Sequence, residues 1–177
     1  MEHPPIAPGK RRPLALRGFT AIELMVVIAI VAILAALAAP SFTPLIERWR
    51  VRQAAEDMQA TLYYARSEAI KRGGGISIVP QGSGWSDGWQ VMHSSTSDPL
   101  QLATAPTRTT ITLNSPNNTN AVFIDRWGML SDQASEPSVD MSFLLVPEGK
   151  SDTDYGSVRL CIGMGGRSTQ KAGSNTC

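Results

Sequence analysis

Glu23 is the one charged residue between Arg17 and Glu47. A charge inside a membrane helix costs about 2.5–3.5 kcal/mol on insertion scales, so such a residue marks a function and a partner. Cys161 and Cys177 are the only cysteines, 16 positions apart near the C-terminus. In an oxidising compartment they are expected to pair, and a loop of that size gains about 3 kcal/mol in the chain-entropy model. The alternatives are two free thiols or a two-cysteine metal site. His3 and His93 are the only histidines. Neither has a second His, a paired Cys or an H-E-x-x-H pattern beside it, so no metal or cofactor site and no enzymatic activity are expected. Gly163-Met164-Gly165-Gly166-Arg167 has the glycines of a phosphate loop, but no helical pattern follows to supply a positive N-terminus. From Ser157 to Cys177 there are Arg159, Arg167 and Lys171 and no acid. Three cations neutralise at most about three phosphates, which gives weak, salt-sensitive binding to nucleic acid. A solvated loop is the plainer reading of that tail.

The elements that position these residues begin with an apolar run. Leu24 to Ala39 is sixteen consecutive Leu, Met, Val, Ile or Ala residues. With Phe19 to Ile22 on the near side it is long enough for a helix of about 30 Å, the hydrocarbon thickness of a bilayer. It shows no amphipathic period, which suits lipid or apolar neighbours all round. Three readings compete. A buried core helix would need a domain large enough to surround it. A cleavable secretory signal would use Ala36-Leu37-Ala38 as its cleavage site and release a soluble periplasmic protein starting near Ala39. Glu23 counts against that reading, because a carboxylate at the edge of the apolar region disfavours insertion. The third reading gives Glu23 a purpose.

That third reading rests on Arg17-Gly18-Phe19-Thr20-Ala21-Ile22-Glu23-Leu24. The segment resembles the class III signal of type IV prepilins, a basic leader ending in Gly, then Phe, with Glu as the fifth mature residue. The resemblance implies that prepilin peptidase cleaves between Gly18 and Phe19 and methylates the Phe19 amine. It also implies that Glu23 pairs with a neighbouring subunit's N-terminus in a helical filament. Glycine fits such a site because, lacking Cβ, it lets an extended backbone enter a protease cleft. The leader holds Lys10, Arg11, Arg12 and Arg17 against Glu2, which favours a cytoplasmic N-terminus. Arg48, Arg50 and Arg52 on the far side make the charge bias slight.

Beyond Pro40 the helical pattern resumes. Phe42, Leu45, Trp49, Ala54, Met58, Leu62, Ala65 and Ala69 recur mostly at steps of three or four, the spacing of one helical stripe. The charges Arg48, Arg50, Arg52, Glu56, Asp57, Glu68 and Lys71 fall largely off it. One helix is expected from Thr20 to Arg72, about 80 Å long with a bend at Pro40, ending at Gly73-Gly74-Gly75. Strands are expected at Ile76–Pro80, Trp89–His93, Thr109–Leu113, Ala121–Arg126, Met141–Pro147 and Ser157–Ile162, with loops at 94–108 and 128–138. The predicted fold class is α+β and pilin-like: a long N-terminal helix packed on an antiparallel β domain. The division is a leader at 1–18, a transmembrane or filament-core half-helix at 19–40, an amphipathic half at 41–72 and a periplasmic β domain at 73–177.

Trp85-Ser86-Asp87-Gly88-Trp89 carries a D-G turn signal between aromatic flanks. With the helix end around Ser67-Glu68-Ala69 and with Phe123-Ile124-Asp125-Arg126-Trp127-Gly128, it resembles the GspH/FimT family of minor pilins and pseudopilins. That resemblance implies a structural subunit of a type IV pilus or a type II secretion pseudopilus. Its location would be single-pass in the bacterial inner membrane, with the C-terminal domain in the periplasm. Its partners would be prepilin peptidase, the major and other minor pilins or pseudopilins, and the inner-membrane assembly platform. Some FimT-like minor pilins are implicated in binding DNA for natural transformation through a C-terminal Gly-Arg-x-Arg segment, which makes a DNA-binding minor pilin the alternative function. Here the segment reads Gly166-Arg167-Ser168-Thr169, without the second Arg.

Composition sets the outer bounds. A chain of 177 residues, 42% hydrophobic and 18% charged, is neither disordered nor low in complexity. A formal net charge of +1 gives no global field for nucleic acid.

Overall fold

The computed structural model describes residues 19–38, 42–117, 119–134 and 137–177. The chain divides into two units, one ending at Pro40 and one running from Ser41 to Cys177. The first contains helix α1, Ala21–Ala38. Its side chains are exposed from Phe19 to Leu37, Leu24, Ile28, Val31 and Leu34 among them. A helix apolar on all its faces beyond Glu23 suits lipid or apolar neighbours. Among the described residues no helix is long and apolar enough to cross a membrane. As described, α1 covers 18 residues, about 27 Å. The expected bend at Pro40 and the whole leader lie outside the described residues.

The second unit opens with α2, Thr43–Arg72. Pro44 stands in its first turn, where a missing N–H costs no helical hydrogen bond. At the other end Gly73 adopts φ 81°, and Gly74 N–H donates to Ala69 O at 2.8 Å, closing the helix as the glycine run predicts. Val51, Ala54, Ala55, Met58, Leu62, Ala65 and Ala69 are buried along one face. The stripe therefore holds from Ala54 onward. Phe42, Leu45 and Trp49, expected on it, are instead exposed, since apolar burial on this helix starts at Val51. Glu68, expected off the stripe, is buried. Arg72 Nε at 2.6 Å and Lys71 Nζ at 3.3 Å compensate its charge.

Among the described residues nine strands follow, in two antiparallel sheets. The first has the order β3-β2-β1-β5-β6 and the second β4-β7-β8-β9. In chain order they are β1 Ile76–Gln81, β2 Gly84–His93, β3 Gln101–Ala103, β4 Thr109–Asn114, β5 Val122–Ile124, β6 Leu130–Ser131, β7 Met141–Pro147, β8 Val158–Ile162 and β9 Ser168–Ala172. Helix α2 packs on β1 and β5 of the first sheet and on β4, β7 and β8 of the second. The core between them is built on Met58, Leu62, Ile78, Trp89, Phe143 and Leu160. The Trp85 and Phe143 rings meet edge to face at 4.8 Å, a favoured aromatic geometry.

Three expectations change. The D-G pair is not a turn: the chain reverses at Gly82-Ser83, and Asp87-Gly88 lies inside β2. Asp87 Oδ2 accepts from Ser83 N and Ser83 Oγ, both at 2.7 Å, so the aspartate braces the turn from across the hairpin. Gly88 has φ 123° and lies against the backbone of Ala103 on β3, too close to admit a Cβ. The expected loops at 94–108 and 128–138 contain β3 and β6. The tail expected to be a loop supplies β9, paired with β8 from Val158↔Ala172 to Ile162↔Ser168.

Candidate functional site

Thr20 precedes α1, and its Oγ1 accepts the Glu23 N–H at 3.3 Å. Thr20-x-x-Glu23 is thus a capping-box pattern, a local role for this segment that the leader reading passes over. Glu23 is exposed in the first turn of α1, where a carboxylate meets the positive end of the helix. Among the described residues no Lys or Arg forms an ion pair with it. Phe19 is 83% exposed. Gly18, the other half of the expected cleavage site, lies outside the described residues.

In the second unit Cys161 and Cys177 form a disulfide. The chain after β9 turns at Gly173, whose N–H donates to Ser157 O at 3.0 Å, and Lys171 Nζ holds Thr176 O at 3.0 Å. The bridge ties this last turn to β8. The three tail cations are not equivalent. Arg159 is mostly covered, donating to Gly173 O at 3.1 Å and lying 3.6 Å from Asp152 Oδ2. Arg167 is exposed in the β8–β9 turn, and Lys171 stands opposite Arg159 in the ladder. The Gly163–Arg167 segment closes that hairpin, with Gly166 N–H donating to Gly163 O at 2.7 Å and Gly163 N–H to Arg167 O at 2.9 Å. Its glycines thus serve the turn.

A cleft of about 490 Å³ opens at the C-terminal end of α2, lined by Gly73 to Gly75, His93, Ser94 and Asp125, among others. Two of its titratable groups, His93 and Asp125, are engaged by their own loops. His93 Nδ1 faces Ser95 Oγ at 2.6 Å. Asp125 Oδ1 accepts from Trp127 N and Met129 N at 2.8 and 2.9 Å. Among the described residues no group of His, Cys, Asp and Glu could hold a metal ion.

The family model described as "Type II transport protein GspH" matches residues 54–169. The chain belongs to this family. The GspH match begins inside α2 and takes in both sheets. The N-terminal Gly-Phe-x-x-x-Glu motif lies ahead of it, so motif and family model are separate observations on one chain. No curated protein matches the sequence. Among solved structures, the type IV minor pilin FimU of Pseudomonas aeruginosa is 27% identical, with a TM-score of 0.56, over 74% of this chain and 95% of that one. A second crystal form of FimU gives 26% identity and a TM-score of 0.53, over 70% and 94%. The minor pseudopilin EpsH of the Vibrio cholerae type 2 secretion system is 11% identical, with a TM-score of 0.50, over 71% and 99%. That last likeness is one of fold. The expected α+β architecture is therefore the one observed: helix α2 packed on antiparallel sheets, as in FimU.

Proposed function

We propose that this GspH-family chain is a minor pilin, a structural subunit of a type IV pilus made as a precursor in the bacterial inner membrane. The observation that carries the reading is the meeting of two independent features. A prepilin-type Gly18-Phe19 junction, with Glu23 five residues in, precedes an apolar helix that is exposed on all sides. A GspH-type β domain follows it. The family's description names type II transport; the pilus is preferred here on the 27% identity to the type IV minor pilin FimU.

In this reading prepilin peptidase cuts after Gly18 on the cytoplasmic side and methylates Phe19. The helix waits in the membrane with the β domain in the periplasm. Assembly then exchanges lipid contact around Leu24–Ala39 for contact with neighbouring helices, and Glu23 neutralises a neighbour's Phe19 amine, as a buried charge requires. No catalytic step is involved. Duplex DNA is not part of this proposal, because Arg159 is already engaged by Gly173 and Asp152.

The test replaces Glu23 with Val in the native host and follows the protein into membranes and sheared filaments. The variant should be processed and inserted yet be depleted from filaments. Incorporation at the unmodified level would overturn the pairing role.

A further inference from the structure

Arg48 on α2 is held in place by residues more than a hundred positions away. Its guanidinium carbon lies 3.3 Å from the centroid of the Tyr155 ring. Its stem lies against Gly156, where φ is 103° and an added Cβ would come within 2.6 Å of Arg48 Cγ. A side chain at 156 would push the arginine off the ring. Arg48 Nε is buried and has no hydrogen-bond partner. A stacked guanidinium keeps its fork of donors pre-organised for a planar carboxylate, so little entropy is lost when one arrives.

Arg52 stands one helical turn further along α2, and both arginines line a cleft of about 350 Å³. Gln170, Lys171 and Ala172 of β9 form its other wall. The lining contains three cations and no carboxylate. Two acids of the region are occupied elsewhere: Glu47 pairs with Lys150, and Asp152 lies by Arg159.

The strand wall of the cleft is the end strand of the second sheet. Gly163 N–H donates to Arg167 O and Gly173 N–H to Ser157 O. With the β8–β9 register, antiparallel alternation turns the backbone groups of Thr169 and Lys171 toward β8 and those of Ser168, Gln170 and Ala172 toward the open edge. Such an edge can accept another strand. We infer that this edge and the Arg48–Arg52 cleft together bind an extended acidic segment of a partner protein. The segment's backbone lengthens the second sheet, and a carboxylate side chain is held by the two arginines. The inference stands on the second unit and holds whichever filament, if any, the chain enters.

The test uses the full chain in detergent and a fluorescent synthetic peptide of about ten residues alternating Glu with Val, with a Gln-for-Glu copy as control. The Glu peptide should bind at least about tenfold more tightly than the Gln copy, and Arg48→Gln or Arg52→Gln should weaken it by at least about tenfold. Gln170→Pro deletes an N–H that does not face β8, so it should abolish binding while leaving the disulfide and the circular dichroism unchanged. In the unmodified protein, amide exchange at Ser168 and Gln170 should slow when the Glu peptide is added. That readout decides the matter if the proline variant does not fold. Equal affinity for both peptides, no binding, or no added protection would overturn the inference. So would Arg48-dependent binding to phosphatidylglycerol vesicles without peptide binding, which would assign the arginines to a lipid surface.

Discussion

The indole Nε1 of Trp89 donates to Thr61 Oγ1 at 2.9 Å in the buried centre of the second unit. The same hydroxyl donates to Asp57 O one turn back along α2, at 2.9 Å. One threonine thus joins the helix to β2 and satisfies a tryptophan that is completely buried. Thr61→Val keeps the shape and removes the acceptor. Leaving the indole N–H unpaired should cost about 1–3 kcal/mol, measured as a lower midpoint in urea with an unchanged slope. An unchanged midpoint would mean that another group accepts from Trp89.

Gly88→Ala tests the reinterpretation of the D-G pair. At φ 123°, against the backbone of Ala103, a methyl group must displace β3 or strain β2. The expected loss is about 1–3 kcal/mol. Amide exchange should accelerate first at Gln101–Ala103, the strand paired with Trp89–Val91.

Reduction of the Cys161–Cys177 bridge, or Cys177→Ser, should cost about 3 kcal/mol in the chain-entropy model. Protease should then cut first after Lys171, beyond which the tail loses its tie to β8. Thermal unfolding with and without reductant measures the first effect, and mass mapping of fragments the second.

Acid should destabilise the β domain through Asp132. Burial pushes this carboxyl up, but Asn117 N and Nδ2 bond it at 2.8 and 3.0 Å, and with Ser115 they hold it below the ordinary aspartate range. Glu68 is likewise held down, first by the Arg72 hydrogen bond. Both groups bind fewer protons folded than unfolded. Their contribution is therefore complete above about pH 5 and fades as pH falls through the ordinary carboxylate range and below it. Asp132→Asn should flatten the fall in unfolding free energy between about pH 5 and pH 2, measured by denaturant titration at each pH.

What the sequence revealed and what it hid divide along physical lines. Ile76–Pro80 and Met141–Pro147 were legible as strands because they bury apolar residues, and so was the glycine stop of α2. Ser168–Ala172 was not, since a polar end strand with its residues mostly exposed carries no alternation of hydrophobicity. Strands β3 and β6 span three and two residues, too few for any period. Asp87-Gly88 was misread because what demands glycine there is contact with Ala103, fifteen positions on. In the sequence Arg48 is one of several charges off the helical stripe, and only the fold brings Tyr155 and Gly156 to it. By contrast, Gly18, Phe19 and Glu23 form a local signal read by spacing alone.

Whether the chain is a processed pilin is tested most directly by the intact mass and N-terminal residue of the protein from its native membranes. The predicted result is a mature chain beginning with N-methylated Phe19. A chain starting near Ala39, or one still carrying its first 18 residues, would contradict it.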